Sequence, residues 1–206
     1  TATNPDGAII SWDGGITDGV TFTPAIGTYT YTVTGDLGGC ISTDDMDLTV
    51  NPTPAVSITS TPSPAELCFG ESLTLTATGG GIGETYVWDP AITNGVSFEP
   101  GIGDETYSVV LTDANGCSNT GSIDVSVHML PVVIFEADTL VGCDPLQVQF
   151  TNLTGTPGVD CEWDFGDGSV GAGCDMVTHT YHGAGEYAVS LTVSTADVCQ
   201  STTTYN

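Results

Sequence analysis

The chain has 206 residues with no lysine and no arginine against 26 aspartates and glutamates, a formal net charge of -26. Without a cation to neutralise phosphates or anionic headgroups, the sequence excludes nucleic-acid binding, polybasic membrane attachment, lysine Schiff-base chemistry and phosphate-loop chemistry. Only 13% of residues are charged while 39% are apolar, so the chain is not a disordered acidic tail and can build cores.

The 27 glycines and 11 prolines, set among many Thr, Ser and Val, read as an all-β chain with frequent turns. No useful stretch carries a helical apolar period. The longest apolar run, Met129 to Phe135, contains Pro131 and is too short to span a bilayer.

In chain order, the first strong signal is a repeat. Ile10-Ser-Trp-Asp-Gly-Gly-Ile-Thr-Asp-Gly-Val-Thr-Phe-Thr-Pro-Ala-Ile-Gly27 recurs without a gap as Tyr86-Val-Trp-Asp-Pro-Ala-Ile-Thr-Asn-Gly-Val-Ser-Phe-Glu-Pro-Gly-Ile-Gly103. The match continues, with one inserted residue, through Tyr31 and Tyr107, Cys40 and Cys117, and Val50 and Val127. A third, more divergent copy places Trp163, Tyr187 and Cys199 in the same order, and Cys143 stands to it as Cys68 stands to the second. Alternating residues predict strands over Ser72–Thr78, Thr106–Thr112 and Leu146–Thr151. Asp18-Gly19, Asn94-Gly95 and Asn115-Gly116 predict tight turns. Proline-stiffened boundaries fall at Asn51-Pro-Thr-Pro54 and near Leu130-Pro131. The expected organisation is therefore residues 1–52, an immunoglobulin-like domain without its leading strands; 53–130, an immunoglobulin-like domain; and 131–206, a third sandwich.

Seven cysteines in so acidic a chain point to an oxidising compartment. Each complete copy carries one cysteine ahead of its first long strand and one in its last turn. The expected bonds are Cys68–Cys117 and Cys143–Cys199, with Cys161–Cys174 closing a short loop around Trp163. Cys40 is then single, because its partner position would precede residue 1. A second arrangement stands beside this one. In a simple sandwich the two positions lie at opposite ends of a strand about 25 Å long, whereas a disulfide needs Cα atoms within about 7 Å. In that arrangement Cys68 meets Cys199 of the next domain.

Other residues invite chemistry and have plainer explanations. Cys174, His179 and His182 mimic a zinc set, but Cys174 is wanted by Cys161 and His179 suits a turn. Asp164 and Asp167 read as turn acceptors, and Asp44, Asp45 and Asp47 as a solvated strand face. Trp12, Trp88 and Trp163 occupy one position of the repeat and are expected in the core, while Tyr107 and Tyr187 are expected to act as tyrosine corners. His128 falls at a domain junction. There is no nucleophile elbow, zinc-protease motif or phosphate loop, so no enzymatic activity and no cofactor are expected beyond weak calcium binding by the acidic surface. Asn152-Leu-Thr154 fits an N-linked sequon, and Asp138-Thr139-Leu140 an O-linked triplet.

Residues Trp163-Asp-Phe-Gly-Asp-Gly168, His179-Thr-Tyr181 and Gly185-Glu-Tyr-Ala-Val-Ser-Leu-Thr-Val193 resemble a PKD domain, an immunoglobulin-like sandwich. Cys68-Phe-Gly, Tyr86-Val-Trp88, Thr106-Tyr107 and Asp113-Ala-Asn-Gly-Cys117 resemble the Ig-like repeats of very large secreted surface proteins of Bacteroidetes. A calcium-binding PKD domain has an acidic Asp-x-Asp-Gly loop before the Trp strand; Asn152 to Asp160 departs from it, with a single acid. The resemblance implies secretion, the cell surface and a role as spacer or adhesive stalk, with neighbouring copies, surface glycans or surface proteins as partners. The alternative is a non-catalytic accessory region of a secreted hydrolase, where PKD-like domains also occur.

Overall fold

The computed structural model describes residues 1–155, 160–197 and 199–205. Its described residues hold strands, turns and one short 3-10 turn at Asp13–Gly15, and no α-helix. The fold is all-β and sandwich-like, as the alternation predicts. The chain divides into two compact units, one of Thr1–Ser57, Thr78–Val87 and Val110–Thr120, the other of Ile58–Ala77, Trp88–Val109 and Gly121–Asn206.

The chain opens with a single antiparallel sheet in the order β1-β2-β3, built from β1 (Ile9–Trp12), β2 (Gly27–Leu37) and β3 (Cys40–Val50). The long hairpin pairs Leu37 with Cys40 and Gly27 with Val50. Gly38 and Gly39 turn it, with φ of +63° and +92°. Both values lie in the left-handed region that a two-residue hairpin turn requires. No side chain in residues 1–53 is buried. Threonine and aspartate line one face, with Thr30 donating to Asp47 at 2.7 Å. The pair Thr106–Asp124 repeats this bond at the equivalent place, again at 2.7 Å.

The next strands are β4 (Ser57–Thr61), β5 (Glu66–Cys68), β6 (Leu73–Thr78), β7 (Thr85–Asp89), β8 (Ser97–Phe98), β9 (Gly103–Thr112) and β10 (Ser118–His128). They form sheets in the orders β4-β6-β8 and β5-β10-β9-β7. Along β6 the alternation Leu73, Leu75, Ala77 points inward and all three are buried. The short β5 runs parallel to the end of β10, Leu67 opposite Val127 and Cys68 opposite His128.

The remaining strands are β11 (Phe135–Ala137), β12 (Leu146–Asn152), β13 (Asp160–Asp164), β14 (Val170–Ala172), β15 (Met176–Tyr181), β16 (Val189–Ser194) and β17 (Gln200–Tyr205). The orders β11-β12-β15 and β14-β13-β16-β17 make two sheets. Their inward residues, among them Phe150, Trp163, Phe165, Tyr181 and Leu191, form one core. Trp163 is its centre, with Phe135 edge-on at 5.1 Å and Phe150 at 5.7 Å between ring centroids. Aromatic pairs of this kind add about 0.5–1.5 kcal/mol to the burial of their area.

Candidate functional site

Trp163 comes first, because its strand sets the turn that follows. Its indole N–H donates to the Gly173 carbonyl at 3.0 Å. The chain then reverses through Asp164 to Ser169, where two aspartates cap their own turns. Asp164 accepts from Gly166 N–H at 2.9 Å and Asp167 from Ser169 N–H at 3.0 Å. Gly166 sits at φ +79° with the Ala188 carbonyl oxygen 2.5 Å from where a Cβ would stand, so only glycine fits.

His179 reaches this turn from β15. Its ring stacks on Phe165 at 4.2 Å and meets Tyr181 edge-on at 4.6 Å. Its Nε2 lies 2.7 Å from Asp167 Oδ2. Ser169 Oγ, 3.4 Å from the same ring nitrogen, itself bonds to Asp167. The trio has the residue types of a hydrolase triad and the wrong connectivity. A triad needs the imidazole between serine and aspartate, one ring nitrogen to each. Here a single nitrogen faces both, and serine bonds to the aspartate directly. The arrangement fastens β15 to the turn.

Hydrogen bonds from Ser169 and His179 hold the Asp167 carboxyl well below its usual range, at about 2. Burial, with the nearby charge of Asp167, pushes the Tyr181 hydroxyl up to about 12. Tyr181 donates to the Phe165 carbonyl at 3.1 Å, closing the turn from the core side. A carboxyl depressed by folding contributes stability that is complete above its unfolded value, near 3.9, and is lost as pH falls through about 2. We predict that unfolding monitored from pH 5 to pH 2 shows this loss, and that Asp167→Asn flattens that part of the profile. An unchanged profile in the variant would contradict the assignment.

The repeat has its own polar anchor, which sequence reading did not identify. Trp88 Nε1 donates to Asn94 Oδ1 at 3.3 Å, and Asn94 also accepts from Ala77 N–H at 2.7 Å. Trp12 Nε1 donates to Asp18 Oδ1 at 3.1 Å, and Asp18 also accepts from Ala2 N–H at 2.9 Å. These bonds lower the Asp18 carboxyl from its ordinary value. The invariant spacing of Trp to Asx across the two copies was the available signal. Trp88 and Trp163 are buried. Trp12 is only half-buried, a correction to its expected place in the core. The sheet of β1 to β3 has no layer equivalent to β4 and β6 over it within residues 1–53.

Tyr187 donates back to the Gly183 carbonyl at 3.2 Å, the bond of a tyrosine corner. Tyr107 does not. Its hydroxyl meets Glu105 at 3.2 Å on its own strand, because its ring is buried against Phe98.

The cysteines need the largest correction. Cys161 and Cys174 are joined, and so are Cys68 and Cys199, the latter pair with Cα atoms 5.6 Å apart. Cys117 and Cys143, expected to bond Cys68 and Cys199, are free thiols, as is Cys40. The reason is β5. Its parallel pairing sets Cys68 opposite His128, the last residue of β10, whereas Cys117 precedes the first. The eleven residues of that strand span about 35 Å. At the Cys68 end, Phe69 N–H donates to the His128 carbonyl at 2.9 Å. His128 Nδ1 lies 3.4 Å from Asp197 Oδ2, two residues before Cys199. A covalent bond and an imidazole–carboxylate contact thus tie the second copy of the repeat to the third.

The zinc-like set dissolves: Cys174 is in a disulfide, His179 is on Asp167, and His182 lies exposed 4.0 Å from Asp144. Among the described residues no three His, Cys, Asp or Glu gather as metal ligands. Part of the Asn152–Asp160 stretch, residues 156–159, lies outside the described residues. The sequon asparagine is already engaged. Asn152 Nδ2 donates to the Cys174 carbonyl at 2.8 Å and its Oδ1 accepts from Thr154 N–H at 2.9 Å. Thr139 Oγ1 donates to the Val141 carbonyl at 3.1 Å.

Comparison with known proteins agrees with this geometry. Residues 130–206 match the PKD domain family. A stretch of 101 residues is 35% identical to Collagenase ColA of Clostridium perfringens, covering 46% of this chain and 8% of that protein. The eight N-terminal Ig domains of Down Syndrome Cell Adhesion Molecule isoform 1.30.30 superpose with a TM-score of 0.52 at 17% identity, over 96% of this chain and 32% of that one. That likeness shows the fold. This chain therefore spans a small part of the length of either protein.

Proposed function

We propose that this chain is a structural, adhesive segment of a long extracellular stalk or filament made of tandem Ig-like domains, without catalytic activity of its own. The observation that carries the reading is the Cys68–Cys199 bond, which fastens one copy of the repeat to the next where a mere spacer would need only a linker. The disulfides suit an oxidising, extracellular setting, and no helix among the described residues is long and apolar enough to cross a membrane. A surface of net charge -26 keeps neighbouring stalks apart and holds calcium weakly along its length. Contacts with other copies, surface glycans or proteins are then apolar, backbone-mediated or cation-bridged.

A second reading is favoured by the collagenase relative: a non-catalytic accessory region of a secreted hydrolase. Electron microscopy of the native full-length protein separates the two. The stalk gives a beaded rod with one bead per roughly 40 Å, the length of a sandwich strand with its loops. A compact particle with two or three beads beside a larger lobe would move the assignment to the accessory region.

A further inference from the structure

Tension along a stalk is carried through covalent bonds, so the place of a disulfide in the chain decides which residues the load reaches. Cys68 stands ahead of β6, and Cys199 directly precedes Gln200, the first residue of β17. The strands β6 to β16 all lie between the two cysteines, and with them the buried Trp88 and Trp163. A load that enters ahead of Cys68 crosses the sulfurs to Cys199 and leaves through β17. The other disulfide, Cys161–Cys174, spans 13 residues inside that loop and lies off this path.

Both ends of the path are built to resist a pull. β5 lies parallel to the end of β10, with Ser126 N–H donating to the Ala65 carbonyl at 3.0 Å and Phe69 N–H to the His128 carbonyl at 2.9 Å. A pull that enters β5 at Glu66 runs along the strand and slides it past β10. These bonds then resist together, whereas a pull across the open end of a hairpin breaks them singly. At the far end, β17 pairs with β16 from Gln200, opposite Ser194, to Tyr205, opposite Val189. A strand rises about 3.3 Å per residue, close to the full reach of the chain, so β17 has little length to yield. Between these ends Cys199 is fully buried and Cys68 half-buried.

We propose that the Cys68–Cys199 bond is a load-bearing lock. It routes tension around the cores of the second and third copies and caps their extension, and its reduction makes the same stretch extensible. The lock deepens the stalk reading above and rests on it. Without the bond, each core unfolds under load at the rate its barrier allows, and the separation of 131 residues then gives about 450 Å of chain. With the bond intact none of that length is reachable. Opening the lock takes two electrons and two protons from a dithiol. One thiol of the reagent attacks one sulfur and displaces the other, and its second thiol then closes on its first. The reagent leaves as a cyclic disulfide, and Cys68 and Cys199 become thiols.

The test is single-molecule force spectroscopy of the oxidised full chain, held at both ends through peptide tags that leave the thiols untouched. Under a constant force high enough to unfold a single sandwich, the oxidised chain is expected to stop about 450 Å short of the reduced chain. Dithiothreitol added under load should release that length. Cys68→Ser with Cys199→Ser releases it without reductant, apart from the short loop that Cys161–Cys174 holds. Cys161→Ser with Cys174→Ser releases none, because its loop lies inside the locked one. Equal lengths with and without dithiothreitol would overturn the lock, whether both chains extend fully or both stay folded. An oxidised chain about 90 Å longer than expected would also overturn it, because bonds within each copy, Cys68–Cys117 and Cys143–Cys199, leave that length free. None of these outcomes alters the beaded rod expected of the full-length protein, so failure of the lock is distinguishable from failure of the stalk.

Discussion

Trp163→Ala is expected to lower the stability of the PKD-matching region by about 3–5 kcal/mol, the range for emptying a large aromatic site in a packed core. The side chain is fully buried, and its ring carries contacts to Phe135, Phe150 and Phe165. The loss is not only volume. Removing the indole also strips the Gly173 carbonyl of its donor, beside the Cys161–Cys174 bond. The same substitution at the equivalent position of the first copy is the control. Trp12 is half-buried and its sheet has no covering layer within residues 1–53, so Trp12→Ala should cost far less. Denaturant unfolding followed by near-UV circular dichroism, variant by variant, gives the comparison. Equal losses at Trp12 and Trp163 would contradict the packing described for the first copy.

What was legible in the sequence follows from which forces are local. The Asx-Gly turns are written in single dipeptides: Gly19, Gly95 and Gly116 all adopt positive φ, as a tight turn after Asp or Asn demands. The long strands are legible because alternation extends over five or more residues, as along Leu73–Thr78 and Val189–Ser194. The PKD-like turn was legible as a motif, but its inner bonding was not. That His179 would share one nitrogen between Asp167 and Ser169 depends on β15 being delivered beside the turn, a tertiary event. β5 was illegible for a different reason. Three residues, Glu66 to Cys68, are too few to show a period, and nothing local announces parallel pairing with the end of β10. Yet this small element decides which cysteines meet. Strand length sets Cys68 and Cys117 at opposite ends, against the expectation of one bond within each copy. Asn152 shows a related limit, since a sequon is read from three residues while its amide bonds a carbonyl across the fold.

The second large effect is expected at the junction. The Cys68–Cys199 bond closes a loop of 131 residues, against 13 for Cys161–Cys174. In the chain-entropy model the longer loop contributes about 5 kcal/mol and the shorter about 3 kcal/mol, because each restricts the unfolded chain according to loop length. The variant Cys68→Ser with Cys199→Ser should therefore unfold at lower denaturant than Cys161→Ser with Cys174→Ser. It should also change the form of the transition. While the bond is intact, the second and third copies of the repeat are coupled. Without it, Pro131 and its neighbours and the His128–Asp197 contact remain, and a half-exposed imidazole–carboxylate pair is worth little in water. One cooperative transition should then separate into two, readable by calorimetry. Before any mutation, the pairing itself is open to peptide mapping. Trypsin has no site in this chain, so cleavage must be at Asp or Glu. Non-reduced digests should contain a peptide pair joined through Cys68 and Cys199. A Cys68–Cys117 or Cys143–Cys199 pair would refute the junction: the first needs β5 away from the end of β10 where it lies, and the second takes the cysteine that Cys68 bonds.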